Sequence, residues 1–413
     1  MLHPVVQCRR ITSSISASVA IVAAAALSPI VCGTAWAQTE PPPLTVSMER
    51  SFGPGWLQGI VALPGGGYTV AGRMGPPAKD PKADLKASVI RLDEKGDVVW
   101  ETAVEGKRLD LIGGLSLTPS GQLVLVGFAG NGADWALTLD PSGKIQSEKS
   151  FGRSLAIFRR TVMLANGGWA SFGDDFVSGP PAKPTLFRFD ANGAFLSKQA
   201  LPDPAHDDAP TPLMTPVGSS GLAVAWDVPA GAKARPRVIR FDAATWEPTW
   251  DITIDLDPEL DPSASTIVPL PGGGLAISGT VVYGRGARWW AAVVGADGRT
   301  QWLSRTGRFD FALPFASAGL ADGGVVIGGC AISNELKHSM PWLAVLDAKG
   351  NLASESVVPM QDGGTVLALA ALPTGEFAAA GISGNGCAVI DAGLHGVNTW
   401  VRVMRLEAIN RPH

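Results

Sequence analysis

The sequence predicts an all-β fold: a single seven-bladed β-propeller of four-stranded blades, closed by an N-terminal strand that completes the last blade. Three observations lead to this prediction. Two short phrases, each typical of two strands joined by a tight turn, alternate along the chain. They recur about every 50 residues, a period typical of blades with four strands each. The segment near residue 46 resembles the strand that the last repeat lacks.

The first phrase is an apolar run, a tight turn and a second apolar run, as in "VALPGGGYTVAG" (61–72). Alternating apolar residues on both sides of a glycine-rich turn indicate a β-hairpin. The second run usually ends in glycine. Its final positions are Gly72, Gly127, Gly173, Trp226, Gly279, Gly329 and Gly381.

The second phrase is a strand, a D-x-x-G turn and another strand, as in "VIRLDEKGDVVW" (89–100) and "LAVLDAKGNLAS" (343–354). Asp at the start and Gly at the end suit a type I turn followed by a residue at positive φ. The segments "VIRFDAATWEPTW" (238–250) and "AAVVGADGRTQW" (291–302) are variants. Each repeat therefore contains four strands, which we call a, b, c and d.

The seventh repeat ends at "WVRVMRLEAINRPH" and has no d strand. The segment "VSMERSFG" (46–53) matches the d strand "IQSEKSFG" (145–152) of another repeat. We expect this N-terminal strand to complete the seventh blade, which would remove an open sheet edge. An open β-solenoid or a pair of β-sandwiches would not account for the match.

Residues 1–37 are predicted to be a secretory signal peptide, with Arg9 and Arg10 before an apolar run and "AWAQ" before a cut at Gln38. Residues 38–43 would be a linker and residues 44–413 the propeller. No other segment has 18 apolar residues without charge, so no transmembrane helix is expected. The predicted location is periplasmic or secreted. The formal net charge of −4 gives no basic field for nucleic acid, and we expect a monomer.

The "LPGGG" hairpins and the "LDEKGDVVW" phrases resemble the quinoprotein-like (PQQ-like) propeller repeats of secreted bacterial proteins. The resemblance covers nearly all of the chain after residue 37. It concerns the repeat and not an active site, so it implies a propeller. A quinone enzyme would also need a basic, aromatic pocket with bound Ca²⁺. The vicinal cysteine pair of some quinoprotein alcohol dehydrogenases and a C-x-x-C-H haem motif are both absent from the sequence.

The a–b and c–d turns are short and lie at one end of each blade, whereas the longer b–c and d–a connections lie at the other end. We call this second end the loop face, and function usually resides on such loops. It carries the ligand-binding candidates, which are Arg108, Arg159, Arg305 and Arg308 in d–a connections and His206, His338 and His395 in long loops. The histidines are either metal ligands, a general base, or solvated loop residues. Tryptophans at repeated positions should pack between blades, and sugar stacking is the functional alternative, to which Trp289 is better suited.

The acidic segment "DLDPELDP" places Asp255, Asp257, Glu259 and Asp261 at every second position. Such alternating carboxylates are candidate Ca²⁺ ligands. The alternative is a proline-stiffened acidic loop, since the EF-hand spacing is absent. No other cofactor is expected.

Cys330 and Cys387 both follow a b strand, about one blade apart on the same face. Export permits oxidation, so we expect either a disulfide between blades 6 and 7 or two independent thiols.

No catalytic motif stands out, and no catalytic residue is assigned. The first functional hypothesis is a non-catalytic extracytoplasmic propeller that binds a protein or a cell-envelope polymer through the loop face. The alternative is an enzyme with a site at the central mouth: a quinone-dependent dehydrogenase, or a lyase or hydrolase acting on a polymer. A purely structural assembly component is a third class.

The predicted signal peptide gives a direct test. Expression in a bacterial host with export should yield a mature protein whose first residue is Gln38. N-terminal sequencing of the periplasmic fraction measures this. A protein that retains Met1, or that stays in the cytoplasm, would contradict the prediction.

Overall fold

The computed structural model describes residues 44–74, 86–104, 109–118, 120–129, 134–151, 157–175, 183–191, 194–202, 213–230, 233–257, 260–283, 286–305, 307–332, 339–384, 387 and 398–406. Within these ranges the chain is mostly β-strand, with a 3₁₀ turn at Pro271–Gly273 and no α-helix. No helix within these ranges could span a membrane.

The strands are antiparallel neighbours along the chain, as expected for short apolar runs separated by tight turns. In order they are β1 (Leu44–Ala62), β2 (Tyr68–Met74), β3 (Lys86–Leu92), β4 (Val98–Val104), β5 (Leu109–Leu117), β6 (Leu123–Ala129), β7 (Asp134–Leu139), β8 (Ile145–Phe151), β9 (Ile157–Met163), β10 (Trp169–Asp175), β11 (Lys183–Phe189), β12 (Phe195–Ala200), β13 (Leu213–Val217), β14 (Gly221–Ala230), β15 (Lys233–Asp242), β16 (Pro248–Thr253), β17 (Pro262–Pro269), β18 (Leu275–Tyr283), β19 (Gly286–Val294), β20 (Thr300–Ser304), β21 (Phe311–Gly319), β22 (Val325–Ile332), β23 (Met340–Leu346), β24 (Leu352–Val357), β25 (Gly364–Ala371), β26 (Phe377–Ser383) and β27 (Asn398–Leu406).

These strands form four-stranded antiparallel groups, which we call blades 1 to 7. Blade 1 contains the C-terminal half of β1 with β2, β3 and β4. Blades 2 to 6 take the strands from β5 to β24 in consecutive fours. Blade 7 contains β25, β26 and β27 with the N-terminal half of β1. The chain therefore has a propeller-type all-β fold.

The two ends of the described chain meet in blade 7. β1 pairs with β27 from Leu44 opposite Leu406 to Ser51 opposite Trp400, and from Gly55 onward it pairs with β2 instead. The first strands of successive blades are in contact from β1 to β25, and β25 in turn contacts β1. These contacts support the prediction of seven blades in a closed ring.

The glycine that ends the first phrase of most repeats lies two to four residues before the end of strand b, and it has a structural reason. In blades 1, 2, 3, 5, 6 and 7, the pairing of strands a and b shifts by one residue at this glycine, which marks a β-bulge in strand a. A Cβ on Gly72 would collide with the carbonyl oxygen of Trp56, and one on Gly381 with that of Thr365. Only glycine allows this close approach of the two backbones.

The apolar cores lie between neighbouring blades. One buried cluster contains Ile277 and Trp290 of blade 5 together with Ala225 and Val238 of blade 4. Other buried clusters span the remaining junctions. Each blade is thus packed on both faces, which explains why the inner strands are almost continuously apolar.

The c–d turns also hold adjacent blades together. The indole Nε1 of Trp100, Trp250 and Trp302 donates to the carbonyl oxygens of Pro141, Ala296 and Ala348 in the next blade, each at 3.1 Å. Each ring also covers the glycine of that turn. These glycines are Gly143, Gly298 and Gly350, with φ of 86°, 81° and 81°. Any side chain there would be strained and would collide with the ring.

At the junction between blades 3 and 4 the positions of the large and the small residue are exchanged: the small residue is in strand d, and the large one is in the turn of the next blade. Ser197 pairs with Arg188 as Trp100 pairs with Arg91, so a small residue occupies the tryptophan position. The turn itself supplies Trp246, whose φ of 64° is the only positive φ of a non-glycine residue within the described ranges. Arg188 lies 5.9 Å from the Trp246 ring and donates to Ala244 O at 2.8 Å. This exchange accounts for the variant turn noted in the sequence.

A double-mutant cycle tests the exchange. Trp246→Gly should lower the free energy of unfolding by about 3 kcal/mol, because it empties a buried site. Adding Ser197→Trp should recover about 1–2 kcal/mol, since it restores the pattern seen at Trp100, Trp250 and Trp302. Urea denaturation measures both. A double variant no more stable than Trp246→Gly would contradict the exchange.

Candidate functional site

Part of the predicted loop face lies outside the described residues. This applies to Arg108, His206, Glu259, His338 and His395. Their roles remain predictions. The structure describes the connections β16–β17 (254–261, in part), β20–β21 (305–310, in part) and β24–β25 (358–363).

Arg159 does not lie in a d–a connection as predicted. It lies within β9, the first strand of blade 3. The pairing with β10 passes from Phe158 to Arg160, so Arg159 is the extra residue of the β-bulge. The sequence prediction failed because the bulge interrupts the alternation that marks the start of the strand.

Arg305 and Arg308 do lie in a d–a connection, that between β20 and β21. Arg305 Nη1 is 3.9 Å from Asp257 Oδ2 in the neighbouring connection, and the side chains are 42% and 45% exposed. A pair this exposed contributes little to stability. The structure therefore brings one predicted cation and one predicted carboxylate together while both stay accessible to solvent.

The described members of the acidic segment do not converge on one point. Asp261 Oδ1 accepts the backbone N–H of Ala234 at 2.8 Å, whereas Asp255 is exposed to solvent. Across the described ranges, no three His, Cys, Asp or Glu side chains are grouped so that they could hold a metal ion. Because Glu259 lies outside those ranges, a Ca²⁺ site at this segment stays a prediction.

A carboxylate that the sequence did not single out sits beneath the β20–β21 connection. Glu355 in β24 is 2% exposed. Its Oε1 accepts the indole N–H of Trp289 at 2.9 Å and that of Trp342 at 3.0 Å, and its Oε2 accepts the backbone N–H of Arg308 at 2.6 Å. This cluster, which we call the Glu355 cluster, joins blade 5, blade 6 and the connection between them.

The connection itself is built for this contact. Ala287 in β19 pairs with Phe311 in β21, and its N–H donates to Asp310 O at 3.2 Å, so the chain turns back over blade 5. A Cβ on Gly307 would come within 2.5 Å of Trp289 Nε1. Glycine at this position lets the connection lie directly on the indole.

Burial raises the pKa of the Glu355 carboxyl above its ordinary value, while the three hydrogen bonds and the Arg308 charge act in the opposite direction. Burial also raises the pKa of Asp227, a carboxylate in β14 that is 6% exposed and accepts the N–H of Ala264 at 3.0 Å. Two buried carboxylates thus join neighbouring blades near the loop face.

The sequence did not single out Glu355, because the equivalent positions in other repeats look exposed. The equivalent d-strand residues, which face the same position of strand c, include Glu101, Glu148 and Asp251. Glu101 and Glu148 are exposed, and Asp251 pairs with Arg237. Only the folded-over connection buries the member in blade 6. The one feature of the sequence that could have indicated this buried site was the adjacent pair Trp289 and Trp290.

Trp289 is therefore not a surface for sugar stacking, contrary to the expectation from sequence. It is 2% exposed, and its ring centroid lies 5.8 Å from that of Trp342. Its position early in β19, where strand c leaves the loop face, suggested exposure. The β20–β21 connection covers it.

The structure settles the state of the two cysteines. Cys330 in β22 and Cys387 form a disulfide with a Cα–Cα distance of 5.7 Å. The N–H of Cys387 also donates to Ser339 Oγ at 2.9 Å. The bridge attaches the β26–β27 connection of blade 7 to blade 6, and it is compatible with an extracytoplasmic location.

Comparison with solved structures shows a similarity of fold alone. The chain is similar to an ulvan lyase from a new family of polysaccharide lyases, with a TM-score of 0.55 and 10% identity, over 85% of this chain and 95% of that one. The same lyase bound to -[GlcA(1-4)Rha3S]- gives a TM-score of 0.53 at 10% identity, with the same shares covered. A puromycin hydrolase complexed with PGG gives 0.50 at 15% identity, over 81% of this chain and 50% of that one.

No protein-family model and no curated protein sequence matches the chain. The resemblance to quinoprotein-like repeats therefore stays a prediction.

The disulfide gives a prediction about stability. Replacing Cys330 and Cys387 by Ala should lower the free energy of unfolding by about 2–4 kcal/mol, since the bridge restricts the unfolded chain. Urea denaturation under oxidising conditions measures this. As the control, reductant should lower the stability of the unmodified protein and leave the double variant unchanged. Equal stability of both proteins without reductant would contradict the prediction.

Proposed function

We propose that this chain is an extracytoplasmic, propeller-type protein that binds an extended acidic polymer, of the acidic polysaccharide class, through the β20–β21 connection on its loop face. The observation that carries the proposal is that two exposed arginines lie on one connection whose backbone is held in place. Arg305 and Arg308 are both exposed, and the Arg308 N–H is held by the buried Glu355.

Guanidinium groups suit carboxylate and sulfate ligands, because their planar N–H donors form paired hydrogen bonds with such oxygens. The Arg308 guanidinium lies 5.4 Å from the ring of Phe309, which is itself buried. Stacking of this kind limits the side chain to fewer orientations, so less entropy is lost on binding. Arg305 needs only to exchange its weak pairing with Asp257 for a ligand anion.

The structural comparisons support a polymer rather than a small ligand, by analogy of fold alone. The ulvan lyase structure with a similar fold is bound to -[GlcA(1-4)Rha3S]-, an acidic sugar chain. An elongated polymer also suits a face made of several adjacent connections. The predicted signal peptide and the Cys330–Cys387 disulfide support an extracytoplasmic location, where such polymers occur.

Catalysis is the second candidate function, and the similarity to a polysaccharide lyase favours it. A lyase needs a general base near the acidic sugar, and His206, His338 and His395 are the candidates on the loop face. Incubation with acidic polysaccharides, followed by assay of new reducing ends and of unsaturated uronate absorbance, distinguishes a lyase from a binding protein.

Binding is tested by affinity electrophoresis in gels that contain a sulfated, a uronate-rich or a neutral polysaccharide. Arg308→Ala should weaken binding to the acidic polymers about tenfold, the loss expected for one charge-assisted hydrogen bond. Arg305→Ala should act in the same direction. Added salt should reduce the retardation of the unmodified protein, as the ionic contacts are screened.

Arg299→Ala is the matched control, because Arg299 is an arginine whose side chain is 88% exposed in the c–d turn between β19 and β20, at the opposite end of blade 5. It should bind as the unmodified protein does. Retardation by no acidic polymer, or an equal loss in Arg299→Ala and Arg308→Ala, would overturn the proposal.

A further inference from the structure

The environment of Glu355 contains hydrogen-bond donors only, among the contacts of the described residues. The indoles of Trp289 and Trp342 donate to one carboxylate oxygen, and the Arg308 N–H donates to the other. An indole nitrogen and a backbone N–H have no capacity to accept. These three hydrogen bonds therefore satisfy every polar group of the cluster only when Glu355 is ionised.

A protonated Glu355 would disrupt this arrangement. A proton on Oε2 faces the Arg308 N–H, whereas a proton on Oε1 faces two indole donors. In either case the protonated oxygen accepts more weakly, and its new O–H finds no acceptor among the described contacts of Glu355. The contact that yields most easily is that of the exposed connection, since both tryptophans are fixed within buried strands.

We propose that Glu355 is a pH-sensitive latch, which holds the β20–β21 connection in place while its carboxylate is ionised and releases the connection when the carboxylate takes up a proton. Through Arg308 the latch makes polymer binding depend on pH, and this consequence rests on the proposed function. The latch itself rests only on the geometry of the Glu355 cluster.

The elements packed against Glu355 are β19, β23 and the β20–β21 connection. The groups that face it from these elements are the two indoles, the Arg308 N–H and the positive charge of Arg308. All of them favour the ionised form, and burial opposes them and prevails, which raises the pKa of Glu355. Release is therefore expected at a higher pH than for an exposed glutamate.

The latch acts locally and not through global stability. Because the pKa of Glu355 is raised on folding, the folded chain binds its proton more readily than the unfolded chain does. Its contribution to the free energy of unfolding thus increases as the pH falls through the window between the two pKa values. The connection should loosen in this window while the blades remain folded.

Hydrogen–deuterium exchange of the full chain tests the latch without any ligand. The amide of Arg308, corrected for intrinsic exchange, should lose protection as the pH falls from about 8 to about 4, in a single titration step. Glu355→Gln should show low protection at every pH, because an uncharged amide cannot accept all three bonds. Trp289→Phe keeps the carboxylate but removes one donor, so the midpoint should move to higher pH.

Asp227→Asn is the matched control. Asp227 is also a buried carboxylate between neighbouring blades, but it lies between blades 4 and 5 and contacts Ala264. This variant should keep the wild-type titration of the Arg308 amide. A merely structural role of Glu355 would not move the midpoint in Trp289→Phe.

Binding to a sulfated polysaccharide gives the second readout, since sulfate stays ionised throughout this range. Affinity should fall about tenfold in the same titration step, as one charge-assisted contact is lost, and should not titrate in Glu355→Gln. Titration of the Arg308 amide without polymer binding would overturn the proposed function and leave the latch intact.

Protection of Arg308 that does not change with pH, or that is lost only together with the β-sheet circular dichroism signal, would overturn the latch. An unchanged midpoint in Trp289→Phe would do the same.

Discussion

The pairing between β27 and the N-terminal half of β1 is the constraint on which the rest of the structure depends. It joins Leu44 to Leu406 and is reinforced by the Arg402–Glu49 ion pair at 2.8 Å. Without it, β27 would present an unpaired edge and blade 7 would lack its outer strand. Because strand a of blade 1 continues directly from this paired segment, the same residues hold blade 1 against blade 7. At the other junctions strand d and the next strand a are separate strands, and blades 6 and 7 are also joined by the Cys330–Cys387 disulfide.

At several junctions the c–d turn of one blade holds the preceding blade against it. Trp100, Trp250 and Trp302 each fit over a turn glycine of the following blade, and the indole N–H donates to a turn carbonyl. At the junctions described above one large and one small residue meet, and the exchange at Ser197 and Trp246 shows that either blade can supply the large one. The resulting rigidity at this end leaves the opposite end free to vary in its connections, which is where the candidate ligand residues lie.

The Glu355 cluster shows how one copy of a repeated position acquires a distinct role. Equivalent residues such as Glu101 and Glu148 remain in solvent, where a carboxylate is unexceptional. In blade 6 the β20–β21 connection crosses β19, and Gly307 lets it approach closely enough for Arg308 to reach the carboxylate. The same contact buries Glu355 and positions the backbone of Arg308, and the proposed latch rests on this contact.

The sequence by itself determined the all-β class, the four-strand repeat and the strand that completes blade 7, because turn glycines and apolar alternation are local signals that every repeat states again. It also placed Arg305 and Arg308 in one connection. Only the tertiary structure decided that Arg159 lies in a strand, that Trp289 is buried and that Glu355 is enclosed. These outcomes depend on where one connection crosses a neighbouring blade, and no local pattern records a contact between segments that are close only after folding.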